Sequence, residues 1–195
     1  NSFTQLLRVG FLASQRNSID PMELAIQRKH EETSNQSSER HRIVREYPLS
    51  KQLLAMTRVL QNSEDLSTTV SAKGAPETIF ELCRLSEEER TKNLAAVHQM
   101  ADQGFRVIAV AEAVHPSHLP ETQAGFNFSF LGLIGLEDPI RPEVPQAIRE
   151  CREAGIAVVM ITGDFPATAK SIAKQIGLPA DGQLITSTEL KAMSD

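Results

Sequence analysis

The chain has 195 residues with 20 Lys and Arg against 25 Asp and Glu, for a formal net charge of -5, and 41% of its residues are hydrophobic. This composition is typical of a globular protein of one domain, or of one domain and part of another, and its mild acidity argues against nucleic acid as the main partner. Two cysteines without a C-x-x-C spacing exclude a cysteine-based zinc site, and the longest apolar run, Ile156–Ile161, is too short to span a membrane, so we expect a soluble polypeptide.

Two helices are predicted at the start of the chain. Asp20 before Pro21 is typical of a helix start, and Glu23 is placed to close a capping box with Asp20. The charged, serine-rich stretch 27–42 predicts a solvated helix end and loop. The first helix is predicted from apolar residues with helical spacing: Phe3, Leu6, Leu7 and Phe11.

The middle of the chain predicts an antiparallel sheet flanked by helices. A turn-rich sequence at 61–65 separates two of the strands and is typical of a hairpin. One helix is predicted to begin at Ala75, and another is opened by a capping box of Ser86 and Glu89 and stopped by Gly104. The predicted strands are 42–47, 53–60, 66–72, 105–114 and 126–136.

The organisation changes at residues 137–142, where two prolines and alternating charges predict a hinge. Helices at 144–154 and 166–176 then alternate with strands at 157–161 and 184–186, and Ser187 is placed to cap a last helix. Strand–helix–strand implies a parallel pair, and a single pair lacks a complete core. We therefore interpret 1–138 as one domain and 139–195 as part of a second, whose strand edges would allow a homodimer.

A candidate phosphate site follows the predicted strand at 157–161. Thr162, Gly163 and Asp164 lie between this strand and a helix. Ligands of open parallel sheets bind at the carboxyl ends of strands, and a hydroxyl with free N–H groups at a helix N-terminus suits a phosphate. The same side chains can instead simply cap the helix.

A second candidate site is the end of the strand at 66–72. Lys73 and Gly74 precede a helix start, and a lysine beside a glycine that admits a ligand suits a phosphate or a base. The alternative is a surface lysine in a turn. Tyr47 is the only tyrosine and is a candidate platform for a base.

Two further pairs of polar residues give no prediction of a ligand site. His115 and His118 have no carboxylate or thiolate spaced to complete a metal site, so we predict no metal site there. Asp138 and Arg141 flank the hinge, where they can form a local ion pair.

Six segments, taken in order, resemble the cytosolic part of the P-type ATPases, the ion pumps that are phosphorylated on an aspartate. The resemblance covers nearly the whole chain, and it is to the bacterial calcium-pump-like class more than to the heavy-metal class, whose Ser-Glu-His-Pro motif is not matched at 113–116. The segments are DPMELA at 20–25, REYPLSKQLLAM at 45–56, KGAPE at 73–77, GFRVIAVA at 104–111, DPIRPE at 138–143 and MITGDFPATAKSIAKQIGL at 160–178.

The resemblance implies an α/β fold, with an antiparallel sheet flanked by helices as the nucleotide-binding domain. A truncated Rossmann-like βαβ segment of the haloacid-dehalogenase type would follow. It implies ATP as the ligand, with Mg2+ needed in the intact pump.

The resemblance also implies roles for individual residues at the nucleotide. Glu23 would hydrogen-bond the adenine side, and Tyr47 would stack on the base, where the family more often has phenylalanine. Lys73 with Gly74 would line the base and ribose pocket, and Arg106 would reach the phosphates. Lys51, in competition with Gln52, would take the place of a further family lysine.

In the second domain, Thr162, Gly163 and Asp164 would belong to the phosphorylation site, with Thr162 donating to the transferred phosphoryl group. Asp138 and Arg141 would lie at the hinge between the two domains.

The chain departs from the family in two motifs. It contains neither the D-K-T-G-T sequence with the phosphorylated aspartate nor the later G-D-G-x-N-D sequence that helps hold magnesium. We therefore expect a fragment of an integral membrane pump, facing the cytoplasm from a bacterial plasma membrane. Its partners would be ATP and the rest of the pump, including the membrane domain. Such a fragment would bind ATP weakly and neither form the aspartyl phosphate nor pump.

Two alternatives stay open at this point. A soluble phosphatase of the haloacid-dehalogenase-like superfamily would suit the Thr162–Asp164 segment, but it needs its own nucleophilic aspartate. A non-catalytic regulatory module would bind a protein partner instead of ATP.

Overall fold

The computed structural model describes residues 2–15, 18–33, 41–114, 116, 118–137, 140–164, 166–178 and 184–193. The chain divides into two compact units. The first comprises Asn1–Leu94 and Val107–Leu136, and the second comprises Ala95–Arg106 and Glu137–Asp195. One long helix and the start of a strand therefore pass from one unit to the other.

The first unit is built on a five-stranded sheet, and the sequence predicts its five strands. The structure adds their order in the sheet, which is the order along the chain. The β1–β2, β2–β3 and β3–β4 pairs are antiparallel. The predicted turn at 61–65 does join β2 to β3 as a hairpin. The strands are β1 (His41–Tyr47), β2 (Ala55–Asn62), β3 (Thr68–Gly74), β4 (Arg106–Ala113) and β5 (Phe128–Leu136).

The helices described in this part of the chain are α1 (Ser2–Leu12), α2 (Pro21–Thr33), α3 (Pro76–Leu82) and α4 (Glu87–Asp102). Helix α1 packs against α2, β3 and β5, and α3 packs against β3 and β5. The fully buried side chains include Val9 of α1, Ile26 of α2, Val70 of β3 and Phe80 of α3. Their burial is the main source of stability, because removing apolar surface from water is favourable.

The second unit contains α5 (Val144–Glu153), α6 (Pro166–Gln175) and α7 (Ser187–Ala192). The hydroxyl of Thr168 in α6 donates to the backbone carbonyl of Phe105 at 3.0 Å. The strands predicted at 157–161 and 184–186 are wrong, since both segments are irregular chain. A strand requires a hydrogen-bonded neighbour, and neither segment pairs with another described residue. The predicted homodimer through their edges stays a prediction.

The helix starts confirm some predicted caps and correct others. Ser86 and Glu89 form the predicted box: the Ser86 N–H donates to the Glu89 carboxylate at 2.9 Å, and the Ser86 hydroxyl accepts from the Glu89 N–H at 3.3 Å. The last helix is capped by Thr186, one residue before the predicted Ser187, because Thr186 completes a box with Glu189. The Asp20 carboxylate caps α2 by accepting from the N–H of Met22. The Glu23 carboxylate does not close the predicted box with Asp20, because it binds Lys73 instead.

Candidate functional site

The side chain of Lys73 lies in a buried polar cluster between β3 and the helices α1 and α2. Its Nζ is 2.5 Å from Oε2 of Glu23, in the first turn of α2, and donates to Oγ of Ser14 at 2.8 Å. Lys73 is 9% exposed and Ser14 is 4% exposed. The structure thus joins Glu23 and Lys73, two residues predicted at the nucleotide, and adds Ser14.

Burial lowers the pKa of Lys73 below its ordinary value of 10.5, and the hydrogen bond and charge of Glu23 oppose this shift. Desolvation disfavours a charged ammonium, whereas an adjacent carboxylate stabilises it. Two residues before Lys73, and therefore on the same face of β3, the fully buried Ser71 hydroxyl lacks a hydrogen-bond partner among the described residues. On this face of the strand, the Ser71 hydroxyl therefore remains able to form a hydrogen bond that no described residue supplies.

A second ion pair, between a buried arginine and a partly exposed glutamate, lies beside this cluster and was missed by the sequence analysis. Arg58 of β2 is 5% exposed, and its Nε and Nη2 contact Oε2 of Glu46 on β1 at 2.7 and 2.6 Å. Its Nη1 donates to the backbone carbonyl of Ser14. The available signal was an arginine beside the apolar Val59 and Leu60 in a predicted strand, because a buried charge requires a partner.

Tyr47, the predicted platform for the base, is a packed side chain in this structure. Its hydroxyl donates to the Pro120 carbonyl at 2.6 Å, and Phe126 meets its ring edge-on at 5.4 Å between centroids. The Arg45 guanidinium lies 4.9 Å from the ring centroid. With Tyr47 only 6% exposed, adenine reaches a ring face only if a neighbour such as Arg45 moves. The stacking role stays a prediction.

The two remaining predicted contacts in the first unit have different settings. Lys51 is exposed in a bend between β1 and β2. Gly74 lies opposite Ala55, and a Cβ built on it would be 2.3 Å from the Leu54 carbonyl oxygen. The glycine is therefore needed for the close approach of two strands, whether or not a ligand also approaches it.

In the second unit, Arg106 lies near the predicted phosphoryl site. Its Nε is 3.6 Å from Oδ1 of Asp164, with the Arg106 side chain 53% exposed. The Thr162 hydroxyl donates to Oδ2 of Asp164 at 2.6 Å and accepts from the Asp164 N–H at 3.1 Å. Gly163 has open space around it. This polar turn presents one hydroxyl and one carboxylate beside one cation.

The hinge residues are only partly described. Arg141 is exposed, and Asp138 lies outside the described residues, as does His115 of the predicted non-metal cluster. Among the residues that the structure describes, no three His, Cys, Asp or Glu side chains are grouped to hold a metal ion. No helix in the same part of the chain has the length and apolar character needed to cross a bilayer.

Comparison with known proteins identifies the family. The sequence profile described as P-type ATPase, cytoplasmic domain N, matches residues 12–143. The chain belongs to the P-type ATPase family. The matched range contains strands β1 to β5 and the whole Lys73 cluster. The five-stranded sheet therefore belongs to domain N of this P-type ATPase.

Individual relatives are pumps much longer than this chain. It is 37% identical to a calcium-transporting ATPase of Bacillus subtilis. The aligned stretch of 169 residues covers 79% of this chain and 19% of that protein. It is 37% identical over 146 residues to the sodium/potassium exporting P-type ATPase cta3 of Schizosaccharomyces pombe, covering 69% and 14%. It is 32% identical over 178 residues to the plasma membrane calcium-transporting ATPase 1 of Mus musculus, covering 82% and 14%. The chain thus spans about a fifth or less of these P-type ATPases.

The donor groups of this P-type ATPase domain fit the chemistry of ATP. Lys73 supplies an ammonium and Glu23 a carboxylate acceptor, and Ser71, on the same strand face as Lys73, supplies a hydroxyl without a partner among the described residues. Of the three N–H groups of the Lys73 ammonium, Glu23 and Ser14 take two among the described residues. Mg2+ has no such donor set in the described residues.

Proposed function

We propose that residues 12–143 bind ATP as the nucleotide-binding domain of a P-type cation-transporting ATPase. The observation that supports this most is the joining of Lys73 to Glu23 in a buried cluster within the range matched by domain N. Tyr47, Lys51 and Gly74 of the same unit would complete the contacts with the nucleotide.

The proposal extends to the longer parent protein. With Mg2+, the parent would hydrolyse ATP through an aspartyl phosphate and move a cation across the membrane from which this domain faces the cytoplasm. Cation transport is supported by the names of the relatives, which are a calcium-transporting ATPase and a sodium/potassium exporting ATPase. Thr162 and Asp164 would contribute to the phosphoryl site, and Asp138 and Arg141 to the hinge beside it.

For the 195-residue chain itself, we propose ATP binding without hydrolysis. Its sequence contains neither D-K-T-G-T nor G-D-G-x-N-D. Phosphoryl transfer depends on a positioned acceptor and on a metal that offsets charge. Neither the family's acceptor aspartate nor its metal-binding motif is present, so purified chain should release no phosphate from ATP.

The affinity follows from a small number of contacts. Stacking a base on an aromatic ring contributes about 1–3 kcal/mol, and each hydrogen bond to a charged group contributes about 1.5–3 kcal/mol. Association costs at least about 4 kcal/mol. One stack and two or three such bonds leave a dissociation constant of roughly 0.1–1 mM.

An amide NMR titration with ATP, with and without Mg2+, tests this proposal. Saturable shifts are expected around Glu23, Tyr47 and Lys73, nearly independent of Mg2+, and they should be lost in Lys73→Ala. Lys92→Ala, at an exposed position of α4, is the matched control and should keep them. A folded sample without shifts at several times the expected dissociation constant would contradict nucleotide binding and favour the interaction module.

A further inference from the structure

The acceptor that holds Lys73 is itself held in place. The Ser14 hydroxyl donates to the Gly10 carbonyl at 2.8 Å, so its proton is committed and its lone pairs face the Lys73 ammonium. The Ser14 N–H donates to the Phe11 carbonyl at 2.9 Å. Ser14 follows α1 without belonging to it, so these bonds, and not a helix, fix its position.

The remaining polar group of Ser14, its carbonyl, is held by Arg58. The guanidinium donates to this carbonyl through Nη1 while Nε and Nη2 are bound to Glu46. Glu46 lies directly opposite Arg58 in the β1–β2 register. A carboxylate on the neighbouring strand thus fixes the orientation of the guanidinium through two of its nitrogens. Arginine can make this rigid pair of contacts, whereas lysine cannot.

These contacts form a continuous series of polar interactions from β1 to α2. It runs from Glu46 to Arg58, from Arg58 to Ser14, from Ser14 to Lys73 and from Lys73 to Glu23. Arg58 also acts on Lys73 through its charge. Burial is the main cause that lowers the pKa of Lys73, and the Arg58 charge adds to that lowering.

We propose that Arg58 is a positioning residue for the nucleotide: by holding the Ser14 carbonyl it fixes the Ser14 hydroxyl, which directs the third N–H of the Lys73 ammonium toward the ligand. This inference rests on the proposed ATP binding of the same cluster. It assigns to Arg58 and Ser14 an effect on ATP affinity although Arg58 acts through another residue.

Two variants and one control test the inference in the full chain. Arg58→Gln removes the fork, and Ser14→Ala removes the hydroxyl but keeps the carbonyl. Each should weaken ATP binding about tenfold, as expected for the loss of one charge-assisted hydrogen bond. Arg58→Lys should restore only part of the affinity. Arg42→Gln, at an exposed position of the neighbouring strand, should bind ATP as the unaltered chain does.

A second readout needs no nucleotide. The 15N signal of the Lys73 ammonium should be visible in the unaltered chain and in Arg42→Gln, because a held ammonium exchanges its protons slowly. It should broaden or vanish in Arg58→Gln and Ser14→Ala. A purely structural role for Arg58 would lower stability while leaving both the ATP affinity and this signal of the folded molecules unchanged.

The outcomes separate the two proposals. If the unaltered chain binds no ATP, the proposed function fails, and the ammonium signal alone decides whether Arg58 holds Lys73. If ATP binds but neither variant weakens it, the positioning role is overturned and the proposed function stands. If Arg58→Gln does not fold, Arg58→Lys decides by the same two measurements, because it keeps the charge but loses the geometry of the guanidinium.

Discussion

The Lys73 ammonium and the Glu23 carboxylate are 2.5 Å apart although 50 residues separate them in the chain. Strand β3 delivers the cation at its end, and the first turn of α2 delivers the anion. Their side chains are 10% and 16% exposed, so water screens the pair weakly. The contact fastens α2 to the sheet at the place where ATP binding is proposed.

Glu23→Gln is expected to lower the free energy of unfolding by about 3 kcal/mol, because it leaves a buried ammonium without its anion. Urea unfolding at pH 7 measures this change. The control is Glu32→Gln in the same helix, whose partner Lys29 is 3.1 Å away with both side chains more than half exposed. That change should cost less than about 1 kcal/mol. Equal losses in the two variants would show that the Lys73–Glu23 pair behaves as a surface pair.

The sheet was predictable because strand and turn signals are local. All five predicted strands of the first unit form, within about two residues of their predicted bounds. The strand predicted at 157–161 failed because an apolar run specifies burial but does not supply a hydrogen-bonded neighbour. Val159 and Ile161 of that run are 80% and 93% exposed.

The candidate site was predictable only in its parts. The resemblance singled out Glu23 and Lys73 one by one, but their contact is tertiary and has no local signal. The predicted capping role of Glu23 was wrong because a buried ammonium is a stronger partner for its carboxylate than an exposed backbone N–H. Ser14 carries no sequence pattern of its own, so only the structure reveals it.

Tyr47→Phe separates the hydroxyl of Tyr47 from its ring. The variant loses the hydrogen bond to the Pro120 carbonyl and keeps the edge contact with Phe126. It should therefore lose about 1 kcal/mol of stability and keep its ATP affinity if the ring is the nucleotide contact. Thermal unfolding and an ATP titration measure the two quantities. A large loss of affinity with unchanged stability would instead assign the hydroxyl to the ligand.

Gly74→Ala is expected to destabilise the first unit by about 1–3 kcal/mol or more. The new Cβ would meet the Leu54 carbonyl at 2.3 Å and the Ala55 Cα at 2.6 Å. Both are backbone atoms, so relief requires the backbones of β2 and β3 to move apart at this end. The control is Gly163→Ala, which has nothing within 4 Å and should change stability by less than about 0.5 kcal/mol. A well-tolerated Gly74→Ala would mean that the strands separate easily at this end.

The stability of the chain should fall between pH 9 and pH 11 in a way that depends on Cys83. Burial raises the pKa of the Cys83 thiol from 9.0 to about 11. The unfolded thiol loses its proton at the lower pH, whereas the folded thiol keeps it. By linkage, the contribution of Cys83 to stability is complete below pH 9, and it declines as the pH rises through the folded pKa.

Urea unfolding at several pH values, compared between the unaltered chain and Cys83→Ala, isolates this effect from the other groups that titrate in the same range. The variant should show a shallower fall in stability from pH 9 to pH 11. Cys151→Ala leaves Cys83 in place and should keep the steeper fall. Parallel pH profiles for the unaltered chain and Cys83→Ala would contradict the raised pKa. Thiol labelling adds a direct check, because at pH 8 a thiol with a pKa near 11 has far less reactive thiolate when folded than when unfolded in urea.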